Sequence, residues 1–145
     1  MSMSQTLAPH LPYLRRYARA LTGSQASGDA HVRAALTALL AGDQSLMEGV
    51  PPRVGLYHLF HAIWQSGAEH YDQGDSLETG GASRTPETRL RGLSANKRAA
   101  LLLTAVEAFS LEEAAFIIDE SAEEVERAIL EAQKTIDSQL ASRVL

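Results

Sequence analysis

Two capping boxes eleven residues apart restrict this chain more than any other feature. In Ser110-Leu111-Glu112-Glu113 and again in Ser121-Ala122-Glu123-Glu124, a serine oxygen is placed to accept from an orphan backbone N–H. The glutamate three residues on reaches back to the serine's own N–H, and each cap is worth about 1 kcal/mol. Between the boxes there is room for one short helix, carrying Ala114, Ala115, Ile117 and Ile118. After the second box, Val125, Ala128, Ile129, Ala132, Ile136 and Leu140 recur at helical spacing and predict a long helix. A short helix, a tight turn and a longer helix outline a helix-turn-helix. Asp119 stands in that turn where glycine is common, and it tolerates the left-handed conformation at some cost.

The N-terminal half reads as helical throughout. Leu14, Tyr17 and Leu21 recur between Pro12, in a first-turn position, and Gly23, a stop. A second helix is expected from about Ser27 to Ala41, with Val32, Leu36, Leu39 and Leu40 as its stripe and Gly42 as the C′ residue. Pro51-Pro52 open a third helix reaching about Tyr71. Tyr57, Phe60, Trp64 and Tyr71 line one of its faces, and Leu56, Leu59 and Ile63 widen it. Residues 73–83 hold three glycines and no apolar periodicity, which reads as a flexible linker. Beyond it, Thr85-Pro86 open a one- or two-turn helix ending near Gly92. Ser94 then caps a helix whose expected face is Leu102, Ala105, Val106 and Phe109. The expectation is an all-α protein of two small lobes, residues 1–72 and 84–142, the second with the helix-turn-helix, joined by a linker at 73–83.

Composition narrows the class. A chain of 145 residues buries roughly two-thirds of its unfolded surface, enough for a core without staples. It has no cysteine, which excludes a disulfide framework and a thiolate zinc site. The longest apolar runs, Ala99–Leu103 among them, are far short of a membrane span. The first five residues carry neither a basic nor an apolar leader region, so a cytoplasmic protein with no membrane contact is expected.

Charge argues against nucleic acid. The net charge is −5, residues 1–72 are balanced, and residues 84–145 set eleven acids against eight bases. From Glu112 to Glu126 there are seven acids and no lysine or arginine. A helix-turn-helix places the start of its second helix in the major groove. Here that start presents Glu123, Glu124 and Glu126. Phosphate neutralisation and guanine readout both need cations, so three carboxylates on the reading face repel a duplex. Acids in a first turn complement the helix dipole, which explains any one of these glutamates but not the missing bases. Residues 65–72 also lack the lysines and arginines that would hold single-stranded DNA.

Catalysis and cofactors find no support. His58 and His61 are spaced i, i+3, with Glu69 and His70 further on, but no full ligand set is identifiable, and histidines flanking an aromatic face are the simpler reading. No glycine-rich phosphate loop, nucleophile neighbourhood or paired-carboxylate cleft is visible.

The apolar excess points instead to protein binding. Helical neighbours diverge by about 100°, so Leu101-Leu102-Leu103, and likewise Phe116-Ile117-Ile118, cannot all face one core. The same holds for Leu56, Leu59 and Ile63 against Tyr57, Phe60 and Trp64. Either the lobes pack on each other, or a groove between them takes an amphipathic helix, or the two alternate. The residue pattern gives Leu56, Leu59, Ile63, Leu103, Phe116 and Ile117 as partner-binding positions, with Glu123, Glu124 and Glu126 as a rim for a basic partner.

Taken together, the chain resembles an extracytoplasmic-function sigma factor. Pro12–Leu36 (PYLRRYARALTGSQASGDAHVRAAL) and Val54–Tyr71 are similar to the helices of the second conserved region, and Leu93–Asp137 to the fourth. It resembles more closely the sigma-like domain of PhyR-type response regulators, through Leu7–Ala30, Gly55–Trp64 and Ala99–Ser110. In that family the domain precedes a receiver whose first strand begins near an Arg-Val-Leu, and Arg143-Val144-Leu145 resembles that start. The resemblance implies partner switching: a phosphorylated receiver releases the sigma-like domain, which captures a NepR-type anti-sigma factor and frees the true sigma factor for the general stress response. The partners implied are that anti-sigma factor and the protein's own receiver. The alternative is a working sigma factor that binds polymerase and promoter.

Overall fold

The computed structural model describes residues 3–42, 46–78 and 94–144, the side chains of 67–78 and 142–144 excepted. All regular elements among them are helices. The short helix expected at Thr85-Pro86, the linker beyond residue 78, the side chains of Glu69, His70 and Tyr71, and the Arg143-Val144-Leu145 side chains lie outside the described residues.

Lobe 1 holds α1 (Met3–Leu7), a 3₁₀ turn at Ala8–His10, α2 (Leu11–Thr22), α3 (Gln25–Leu40) and α4 (Pro52–Glu78). Gly23 ends α2 with φ 76°, the left-handed stop expected of it. Helix α3 begins earlier than its apolar stripe implies, because the Ser24 side chain accepts from the Ser27 N–H and caps it. Leu40 does not join the stripe: it is 73% exposed, since its neighbour Leu39 takes the core-facing position about 100° away. Gly28 lets α2 and α3 touch backbone to backbone, for a Cβ there would lie 2.7 Å from the Arg19 nitrogen. Helix α4 runs to Glu78, past Tyr71 and into the stretch read as linker.

The core of lobe 1 is aromatic. Tyr17, Tyr57, Phe60 and Trp64 are buried, with Tyr17 and Phe60 edge to face at 6.1 Å. His61 sits inside this cluster, its Nε2 sharing a 2.5 Å hydrogen bond with the Tyr17 hydroxyl. Burial pulls its pKa down to about 3, so the imidazole is neutral.

Lobe 2 holds α5 (Ala95–Leu101), a π-helical turn at Leu102–Val106, α6 (Leu111–Ile118) and α7 (Ala122–Val144). Ser94 caps α5 and Ser110-Glu113 forms the full reciprocal box at α6. At α7, Ser121 accepts from the Glu124 N–H, while the Glu124 carboxylate pairs with Arg127 at 2.9 Å. Asp119 takes the left-handed turn position, φ 59°. Ala99, Ala100, Ala114, Ala115, Val125 and Ala132 are buried, so this core is small and aliphatic.

Of the expected face Leu102, Ala105, Val106 and Phe109, only Leu102 and Phe109 are buried. Leu102 and Leu103 are buried together, Ala105 and Val106 face outward, and Phe109 lies beyond the helix. The cause is the π turn: the Glu107 N–H reaches back to the Leu102 carbonyl, and the Phe109 N–H to that of Leu103. One extra residue per turn rotates everything after it.

Candidate protein-binding site

The lobes are docked, and the π turn makes the joint. In a continued α-helix, residues two apart point about 200° away from each other. The widened turn, followed by Ala108 at φ 61°, instead brings Glu107 and Phe109 both against lobe 1. The Glu107 side chain is fully buried there. Its Oε2 accepts from Arg16 Nη2 of α2 at 2.6 Å, and its Oε1 from the Tyr57 hydroxyl of α4 at 3.1 Å. Arg53 Nη2, also from α4, donates to the Glu107 carbonyl at 2.8 Å. Beside it, the Phe109 ring meets the Arg53 guanidinium at 4.1 Å and Tyr57 edge to face at 5.0 Å, and Arg53 also lies over the Tyr57 ring.

The electrostatics agree with this geometry. The hydrogen bond and charge of Glu107 raise the pKa of Arg16. Burial, and then the Glu107 charge, push that of Tyr57 up, so its hydroxyl stays a donor. Two more contacts cross the seam: Phe116 of α6 stacks on His58 of α4 at 4.6 Å, and Arg98 of α5 donates to the Leu21 carbonyl at the end of α2.

Against this seam the expected binding positions separate into three groups. Leu56, Leu59, Leu103 and Ile117 are buried, at 0, 6, 0 and 1% exposure. Ile63 and Phe116 are half-buried, one from each lobe. Glu123, Glu124 and Glu126 are exposed on the first turns of α7. The cations nearest that ridge are engaged with carboxylates: Arg127 with Glu124, and Lys97 with Glu131 at 3.0 Å. The Lys97 hydrogen bond lowers the Glu131 pKa.

Glu107, Arg16, Arg53 and Phe109 are seam residues that the apolar pattern does not single out. A signal for Glu107 was present. It is the one acid in the apolar stretch Leu101–Phe109, with no base three or four residues to either side. Such a carboxylate needs a long-range partner if it is buried. No group of three or more histidines and acids that could hold a metal occurs among the described residues. Nor is any described helix long and apolar enough to cross a membrane.

Comparison with known proteins follows the two lobes. Residues 7–61 match the family described as the Sigma2 domain of PhyR, and residues 90–139 that of the response regulator PhyR, sigma-like domain. The PhyR sigma-like domain of Sphingomonas sp. Fr1, solved as a complex with NepR, is 43% identical, with 95% of this chain and 88% of that one covered at a TM-score of 0.74. This chain belongs to the PhyR sigma-like domain family. The phyllosphere-induced regulator PhyR of Methylorubrum extorquens is 37% identical over all of this chain and 53% of its own length, so the chain spans about half of that relative. The sigma factor RpoE of Bartonella quintana, solved with the anti-sigma factor NepR, is 22% identical. It covers 95% of this chain and 96% of its own at a TM-score of 0.78, and so shares the sigma-factor fold.

Proposed function

We propose that the chain is an anti-anti-sigma domain that captures a NepR-type anti-sigma factor by presenting it with the shape of a sigma factor. The observation that carries this is a sigma-factor fold whose would-be reading helix offers Glu123, Glu124 and Glu126, with its nearest cations tied to carboxylates. Such a surface repels phosphate and attracts a basic protein. The 43% identical domain solved with NepR supports the choice of partner. The domain acts by binding alone, without cofactor or catalysis, in the cytoplasm, and a receiver in the longer protein controls its availability.

The lobes act as two units joined by the chain beyond α4, which ends at Glu78 and so takes up the first half of the stretch expected as linker at 73–83. The exposed and half-buried positions, Ile63, Phe116, Glu123, Glu124 and Glu126, meet the partner in the docked arrangement. Leu56, Leu59, Leu103 and Ile117 support them from beneath and reach the partner only where the lobes part.

Co-purification with a NepR-type protein from the same genome tests this reading, with a promoter shift assay at low salt beside it. The expected result is a stable one-to-one complex and no shift. Sequence-selective, salt-sensitive promoter binding without a complex would instead establish a working sigma factor.

A further inference from the structure

The geometry points to Glu107 as the residue that positions the partner-binding surface, by clamping the two lobes in one register. This rests on the proposed function, because it concerns the surface that the anti-sigma factor would meet.

Apolar contacts across the seam are non-directional. Alone, Phe109 on Tyr57 and Phe116 on His58 would tolerate small slides of one lobe over the other. A carboxylate held by donors from two different helices does not. Glu107 binds Arg16 on α2 through one oxygen and Tyr57 on α4 through the other, while Arg53 takes its backbone carbonyl. Any slide breaks at least one of these bonds and leaves a buried charge short of partners. A buried ion pair adds little stability over a well-packed apolar replacement. Its contribution here is orientation. The surface at stake is composite: Ile63 comes from α4, Phe116 from α6 and the glutamates from α7, so the partner reads the lobe-to-lobe geometry directly. The chain also spends a left-handed alanine, Ala108, and a π turn on bringing Glu107 to the seam.

The experiment uses the absence of native cysteine to place spin labels at Arg33→Cys on α3 and Lys134→Cys on α7. Distances are read without partner, and affinity for a purified NepR-type protein from the same genome is read on unlabelled chain. Two variants report the clamp. Glu107→Gln keeps the shape and removes the charge. Arg16→Ala alters a half-exposed side chain and leaves each core intact. The native chain gives one narrow distance distribution. Both variants broaden it and weaken binding by about tenfold or more, with helix content unchanged. Arg16→Ala adds nothing further in the Glu107→Gln background. An unchanged distribution in both variants overturns the clamp. A broadened distribution with unchanged or tighter binding overturns the positioning role. A native chain that binds no such protein sinks the functional reading and the positioning role together, and the distances then show whether the clamp itself stands.

Discussion

Lobe 1 keeps Tyr17, Phe60, His61 and Trp64 in its own core, ring against ring. Lobe 2 has two aromatic side chains, Phe109 and Phe116, and both lie against α4 of the other lobe. Its own centre is alanine, valine, leucine and isoleucine. The buried side chains of both lobes join in one hydrophobic core, but the rings of the first pack mainly on one another, whereas those of the second pack on α4 of the first. A module made this way has its two halves energetically linked, and it offers a partner one surface rather than two.

The sharpest way to break that contrast is to remove one ring from each place. Phe60→Ala should cost about 3–5 kcal/mol in lobe 1, read by urea unfolding of its tyrosine and tryptophan signals. Phe109→Ala should cost about 3 kcal/mol, but in the seam: hydrogen exchange in α6 and α7 rises while the α2–α3 pair stays protected. Equal loss of protection in both lobes would show that the shared core unfolds as one cooperative unit.

Gly28→Ala is the next largest effect. Its methyl would press on the α2 backbone at Ala18 and Arg19, and overpacking of this kind costs about 1–3 kcal/mol. The loss should appear in lobe 1, in the same unfolding measurement, with the Ser110-capped helix unaffected at first.

Acid separates the lobes by a different route. His61 titrates near 6.5 when unfolded and near 3 when folded. Protons therefore bind the unfolded chain preferentially, and the stability His61 confers is complete above pH 6.5 and falls as pH drops toward 3. Between pH 6.5 and 5 the loss is about 2 kcal/mol. Urea titrations at the two values check it, and His61→Gln should flatten the slope. The smallest effect is Ser110→Ala, about 1 kcal/mol, visible as faster exchange at the start of α6 and nothing in lobe 1.

The same contrast explains what could be read from the chain alone. Boundaries set by local chemistry were legible: the Ser94 and Ser110 caps, the Gly23 and Gly42 stops, Asp119 in its left-handed turn. So were the aromatic stripe of α4 and the acidic start of α7, because each is a property of one helix. What escaped was decided between elements. The π turn at Leu102–Val106 has no sequence mark that periodicity detects, and it turned Ala105 and Val106 of the expected face outward. Leu56, Leu103 and Ile117 were recognised as more apolar surface than one helix needs, but whether a core, a seam or a partner covers them is a three-dimensional question. The isolation of Glu107 among apolar residues marks it in the chain, but its partners, 50 to 91 residues away, cannot be named from local sequence.

The central claim, a sigma-shaped decoy for a sigma factor's inhibitor, is tested most directly by displacement. A preformed complex of a NepR-type anti-sigma factor with its sigma factor is titrated with this chain, and free sigma factor is followed by size-exclusion chromatography. The account predicts stoichiometric release of the sigma factor and a new complex between the anti-sigma factor and this chain. A sigma factor that stays bound at every ratio would contradict it.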